Sequence, residues 1–245
     1  MNHRDKVAVI TGASQGLGAG IARHFAALGI RLGLCARTLP QAPDGVDSLV
    51  RSLDMTDPVA VDAFAAAVEQ HFGTIHLWIN NAGVLEPIAP LRSIDPADFR
   101  RLIEINLLGV MHGSRAYVRH CRRRGNGGVL INISSGAARK AYAGWSAYCA
   151  SKAAVDRFSE AVALEEAEQS LRVYAVAPGI VDTEMQERIR ATPAERFPMV
   201  DKFHALKAED RFNSPGFVAE TLLGYAFDTD WAPSEVLVRV PEENP

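Results

Sequence analysis

At 245 residues, 48% hydrophobic and 22% charged, the chain can bury one sizeable core, so a single domain over residues 1–245 is expected. A formal net charge of -3 excludes the global basic field that would hold nucleic acid or an anionic membrane surface. Cys35, Cys121 and Cys149 are widely spaced, odd in number and without a C-x-x-C pair, which argues against a disulfide framework or a metal site.

Few residues precede the first apolar run, and no stretch reaches the ~18 apolar residues of a membrane span, so a cytoplasmic chain is expected. Val7-Ala8-Val9-Ile10 is a short continuous apolar run, the mark of a strand covered on both faces. It leads directly into Thr11-Gly12-Ala13-Ser14-Gln15-Gly16-Leu17-Gly18. The spacing of Leu17, Ile21, Phe25 and Leu28 predicts a helix with those four on its inner face, stopped by Gly29. Strand, glycine turn and helix make a cradle for a pyrophosphate, because glycines admit close backbone approach and a helix start presents unpaired N–H groups. The spacing G-x3-G-x-G also suits a purely structural tight turn.

Arg31 to Cys35 reads as a second strand, followed by Ala36, Arg37 and Thr38. A carboxylate at this strand end would bond the ribose 2′-hydroxyl of NAD and repel a 2′-phosphate. Ala36 removes it, and Arg37 offers a planar fork to a phosphate, so NADP(H) is the expected cofactor. Val46 to Leu53 makes a weaker third strand that ends at Asp54-Met55. Asp57-Pro58 then supplies an N-cap and first-turn proline for a helix that buries Val61, Phe64, Val68 and Phe72. The fourth strand, Ile75 to Ile79, runs into Asn80-Asn81-Ala82-Gly83, whose two amides fit either a turn or a tie between strands and ligand.

Asp95-Pro96 opens a long helix with Phe99, Leu102, Ile103, Asn106 and Val110 inward. An Asn on an apolar face must find partners or cost about 1–3 kcal/mol, so Asn106 is met by core backbone or holds a water. The basic run Arg119 to Arg124 reads as a solvated helix terminus. Gly128 to Ile133 is a fifth strand with Ser134-Ser135 at its carboxyl end, where open α/β sheets place ligands. In the next helix Tyr148 and Lys152 stand at i and i+4 on one face, a phenol beside a cation that favours its ionised form and makes it a candidate general acid.

Leu171 to Ala177 is a sixth strand, from which Pro178-Gly179-Ile180-Val181-Asp182-Thr183 breaks away. Residues 184–213 are polar with scattered Met185, Phe197, Met199 and Phe203, and read as a mobile flap over the site. Together with Trp145 these apolar residues suit a flat aromatic substrate. Ser214-Pro215 opens a last helix, and Val236 to Val238 supplies a seventh strand. The alternation predicts an α/β doubly wound (Rossmann) fold: a seven-stranded parallel sheet with helices on both faces.

Thr11-Gly12-x3-Gly16-x-Gly18, Asn80-Asn81-Ala82-Gly83, Asn106, Ser135, Tyr148-x3-Lys152 and Pro178-Gly179-x3-Thr183 occur in one order that spans nearly the whole chain. In that ordered set the sequence resembles the classical short-chain dehydrogenase/reductase family. The stretches Gly144 to Lys152 and Asp182 to Gln186 look most like its sepiapterin reductase and benzil reductase branch. The resemblance implies that Ser135 holds a substrate carbonyl, Tyr148 protonates the nascent alkoxide, Lys152 grips the nicotinamide ribose and lowers the tyrosine pKa, and Asn106 binds a relay water. It implies a dinucleotide site made from Gly12, Ser14, Gln15, Gly16, Leu17, Gly18, Arg37, Thr38, Asp54, Met55, Asn81, Ala82, Gly83, Tyr148, Lys152, Pro178, Gly179, Val181 and Thr183. Gln15 departs from the basic residue many NADP-dependent relatives carry, and Val238-Arg239 replaces the aspartate expected of a pterin site. The expected activity is reduction of an aromatic ketone or α-dicarbonyl by a homodimer or homotetramer. A pterin reductase, an acyl-thioester reductase and a non-catalytic NADP-binding sensor are the alternatives.

Overall fold

In strand β1 (Val7–Thr11) Val7 and Val9 face one side of the sheet and Ala8 and Ile10 the other, and all four are fully buried. Both faces of the sheet are therefore covered. The computed structural model describes residues 3–243. It continues with β2 (Arg31–Ala36), β3 (Ser48–Ser52), β4 (Leu77–Asn80), β5 (Gly128–Ile133), β6 (Leu171–Ala177) and β7 (Leu237–Arg239). Every pairing is parallel, in the spatial order β3-β2-β1-β4-β5-β6-β7. The order reverses between β1 and β4, the switch point whose carboxyl-end crevice receives ligands in this architecture.

Helices α1 (Gly16–Ala27) and α8 (Pro215–Phe227) cover one face, where Ile21, Phe25, Val218 and Leu222 pack on Ile10, Leu34 and Ile131. Helices α2 (Pro58–Phe72), α4 (Gly109–Arg124) and α5 (Ser146–Glu165) cover the other, with Val61, Phe64, Tyr117 and Val162 around Trp78 and Leu130. Each large side chain fully buried in this way is worth about 1.5–3 kcal/mol. The expected N-caps hold: Asp57 accepts from the Val59 and Ala60 amides, Asp95 from Ala97, and Ser214 from Phe217.

Three expectations need correction. Leu28 is 37% exposed, because α1 ends at Ala27 and Leu28, as its C-cap, no longer follows the helical stripe. The long helix from Asp95 is broken into α3 (Pro96–Ile103), a π-turn over Glu104–Leu108, and α4, so an extra residue enters the turn that carries Asn106. The expected flap is not irregular: it forms α6 (Glu184–Arg190) and α7 (Val200–Ala208), and buries Ile189, Phe197, Val200 and Phe203 in a third apolar cluster with Leu102, Trp145 and Tyr148. Among the described residues no helix is long and apolar enough to cross a membrane, and no group of three His, Cys, Asp or Glu is placed to hold a metal ion.

Candidate active site

The glycine turn is shaped by close contacts at Gly12 and Gly18 and by left-handed backbone at Gly12 and Gly16. Gly12 and Gly16 have φ of 67° and 56°, in the left-handed region, and a Cβ on Gly12 would lie 2.7 Å from the Ala82 Cα. A Cβ on Gly18 would fall 2.5 Å from both the Asn81 amide nitrogen and the Gly12 carbonyl oxygen. Asn81 ties the turn to the end of β4, donating Nδ2–H to the Thr11 and Gly12 carbonyls at 2.9 and 3.2 Å, while Thr11 Oγ1 accepts from the Asn81 and Ala82 amides. Gln15, at the N-cap of α1, makes no capping bond with its side chain, so the first N–H groups of the helix have no side-chain cap and face the crevice as an anion site. A cradle closed to a Cβ at Gly12 and Gly18 and an uncapped helix start fit a dinucleotide pyrophosphate.

A cavity of about 900 Å³ runs along the carboxyl ends of the strands. Every cofactor, catalytic and substrate residue singled out from the sequence lines it except Gly18, Asn106, Phe197 and Met199. Gly18 instead lets the helix and Asn81 close up beneath the cavity. Phe197 is fully buried, stacked behind Trp145 at 4.6 Å and 7°, and Met199 packs against the same cluster. These two support the wall rather than form it, since an amphipathic segment puts its largest rings deepest. Trp145, Met185 and Phe203 do reach the cavity.

At the inner end stand Ser135, Tyr148 and Lys152. Ser135 follows β5 and caps a short turn, its Oγ accepting from the Ala137 amide at 3.1 Å. Its hydroxyl also hydrogen-bonds the Tyr148 phenol. Burial pushes that phenol above its ordinary value, and the Ser135 bond offsets part of the rise. Lys152 donates to the Ile133 carbonyl at 2.9 Å and lies 5.7 Å from the Tyr148 ring centroid, over its face. Burial pushes the lysine itself down to about 8, and Asp156 one turn further along α5 partly offsets this.

Asn106 is fully buried and its amide is spent: Oδ1 accepts from the Val84 amide, and Nδ2 donates to the Val84 carbonyl at 2.8 Å and to Ser151 Oγ at 3.2 Å. Both amide hydrogens have protein partners, so the side chain braces the strand-end loop and has no donor left for a relay water. Asn80 makes the neighbouring tie, accepting from Trp78 Nε1 and donating to Ser114, the Val110 carbonyl and Asn132, which joins β4, β5 and α4. Of the two readings of the Asn80-Asn81 pair, the tie between strands is the one the structure has.

Several cavity residues were not singled out from the sequence. Asp156 lies on the Tyr148 and Lys152 face of α5, its carboxylate held by the Ser134 hydroxyl and raised above the usual range chiefly by burial. The i, i+4, i+8 spacing was its signal. Arg139, Lys140, Tyr142 and Lys202 also line the mouth, and no local pattern marks them. Glu184 accepts from Gln15 Nε2 at 2.9 Å and pairs with Arg188, linking the glycine turn to α6.

A model of the family described as short chain dehydrogenase matches residues 6–194. The benzil reductase ((S)-benzoin forming) of Bacillus cereus is 34% identical over 247 residues, covering 96% of this chain and 98% of the relative. The galactitol 2-dehydrogenase of Agrobacterium fabrum is 36% identical over 196 residues, covering 78% of this chain and 76% of its own. Among solved structures, the KRED1-Pglu enzyme superposes with a TM-score of 0.84 at 32% identity, covering 94% of this chain and 98% of the other.

Proposed function

The chain belongs to the short chain dehydrogenase family of oxidoreductases, and from that premise we propose that it reduces an aromatic ketone or α-dicarbonyl with NADPH. The observation that carries this reading is one cavity lined both by the uncapped start of α1 and by Ser135, Tyr148 and Lys152. NADPH, when bound, supplies the hydride. The α1 amides and Gly12 receive its pyrophosphate, Asp54 its adenine, and Thr183, seated over Gly16, its carboxamide end. Ser135 Oγ donates to the substrate carbonyl oxygen and so favours the charge that develops there. Tyr148 gives its proton to the same oxygen. A buried phenol with a raised pKa stays protonated through the neutral range, the state a donor to a nascent alkoxide needs. Lys152, still protonated at neutral pH, would hold the cofactor ribose, and Tyr148 regains its proton from solvent in the cavity it lines.

Arg37 lines the cavity past β2 with its backbone carbonyl held by Ser52 Oγ at 2.6 Å, and is the group assigned to the 2′-phosphate. A charge-assisted bond is worth about 1.5–3 kcal/mol, so Arg37→Ala is expected to weaken NADPH binding by about tenfold to a hundredfold and to leave NADH binding unchanged. Fluorescence titration of both cofactors into both proteins checks it. Equal affinity of the wild type for NADPH and NADH removes the argument.

The experiment for the activity itself is NADPH consumption with benzil, sepiapterin and an acyl thioester. Benzil is expected to show a kcat/KM at least ~10-fold above sepiapterin, since each unpaired pterin nitrogen costs ~1–3 kcal/mol and ~1.4 kcal/mol is tenfold. A pterin is the second reading and has one observation in its favour: Asp156 is a carboxylate lining the cavity. Sepiapterin turned over as fast as benzil would transfer the assignment to it. The acyl-thioester reading is weakened, because Arg122 pairs with Glu166, and Arg123 and Arg124 pair with Glu69.

A further inference from the structure

The mouth of the cavity is positively charged in a chain whose net charge is -3. Lys140, which follows the turn after β5, and Lys202 on α7 both place their ammonium groups 5.9 Å from the centroid of the Tyr142 ring. Neither makes an ion pair among the described residues, whereas Arg188, which lines the same cavity, is held by both Glu86 and Glu184. Arg139 spends a guanidinium nitrogen on a neutral acceptor, the Leu237 carbonyl, at 3.0 Å. Arg239 reaches Glu242 only at 3.9 Å, and Glu242 is shared with Arg211 at 3.2 Å. The anions of this end are committed: Asp156 to Ser134, with Lys152 and Arg139 nearby, and Glu184 to Arg188 and Gln15.

Two like charges brought to one ring from separate elements repel each other. The electron-rich face of Tyr142 compensates part of that cost, and an anion between them would compensate the rest. The rings also keep the cations away from the reacting end. Tyr142 lies 4.9 Å from Trp145, and Trp145 5.7 Å from Tyr148, so an indole and a phenol separate the ammonium groups from the reacting end.

We propose that Lys140 and Lys202, both drawn to the Tyr142 ring, form a subsite for a carboxylate, and that the substrate is an aryl ketone that carries a carboxylate remote from the carbonyl that is reduced. This rests on the ketone reductase reading above and narrows its substrate class. Arg139 and Arg239 add to the field at the mouth without touching the group.

The test compares 4-carboxybenzil with its methyl ester, two diketones of similar shape that differ in charge. Binding is read by quenching of tryptophan fluorescence, and turnover by NADPH consumption. For the wild type the acid is expected to bind about tenfold tighter than the ester and to show a KM lower by a similar factor, with similar kcat, since the carboxylate is remote from the reacting bond. Raising salt from ~0.05 M to ~0.5 M is expected to erode most of that preference, because the cations are exposed. In the double variant Lys140→Gln, Lys202→Gln the preference is expected to fall to about twofold or less. It is a ratio read within one protein, so a general loss of activity cancels. Acid and ester binding alike to the wild type, or a preference that survives the double substitution, overturns the subsite. Tight, salt-sensitive binding of the acid with neither diketone reduced would uphold the subsite and sink the reductase reading instead.

Discussion

Tyr148→Phe is expected to lower kcat by about three orders of magnitude while leaving the Kd for NADPH within about twofold. The ring is 8% exposed and fixed edge-on against Trp145 at 5.7 Å, inside the cluster that also holds Leu102 and Phe203. Phenylalanine keeps all of that packing. What it deletes is one hydroxyl, and with it the proposed proton donor and the partner of Ser135. Ser135 keeps its bond from the Ala137 amide, so the turn that carries it stays in place. Stopped-flow turnover together with a cofactor titration separates the two effects. A variant that kept a tenth or more of wild-type kcat would show that the acid is another group.

Lys152→Met is expected to reduce kcat by about two to three orders of magnitude, to weaken cofactor binding, and at the same time to raise the melting temperature of the cofactor-free protein. The lysine is 5% exposed, and burial brings it from 10.5 to about 8. Below pH 8 the ammonium is charged in both the folded and the unfolded chain and its full desolvation cost is present. Between pH 8 and 10.5 the unfolded chain holds the proton more firmly, so this group makes stability rise with pH across that window, and above it the cost is gone. The shift corresponds to about 3 kcal/mol at neutral pH, of which loss of the bond to the Ile133 carbonyl takes back about 1 kcal/mol. Methionine has nearly the same length and no charge, so a net gain on the order of 1–2 kcal/mol remains. Calorimetry of the two proteins without cofactor, at neutral pH and again near pH 10, checks both claims. A lower melting temperature for the variant at neutral pH would mean that the buried ammonium stabilises the fold.

Those two side chains were legible because their relation is local. Four residues apart on one helix face each other whatever the rest of the chain does, and the glycine turn is local for the same reason. What is not local is environment. Whether Lys152 lowers the tyrosine pKa depends on where the ammonium points, and it points to the Ile133 carbonyl. Whether the Asn106 side chain has a hydrogen to spare depends on its neighbours, and Val84 and Ser151, both distant in sequence, accept both of them.

Taken alone, the sequence determined the seven parallel strands, the helices with their caps at Asp57, Asp95 and Ser214, and the site at the carboxyl ends of the strands. Hydrophobic period, cap chemistry and glycine spacing are short-range signals, and each points to one local conformation. Tertiary structure decided how deep each side chain lies and what stands across from it. Phe197 and Phe203 are alike in sequence, yet only Phe203 reaches the cavity. Asp156 meets Ser134 from another element, and Lys140 and Lys202 converge on Tyr142 from segments that no local pattern relates. A helical period says which face of a segment turns inward but carries no information about the partner that face will find, and burial, pKa and charge at the site are all properties of that partner.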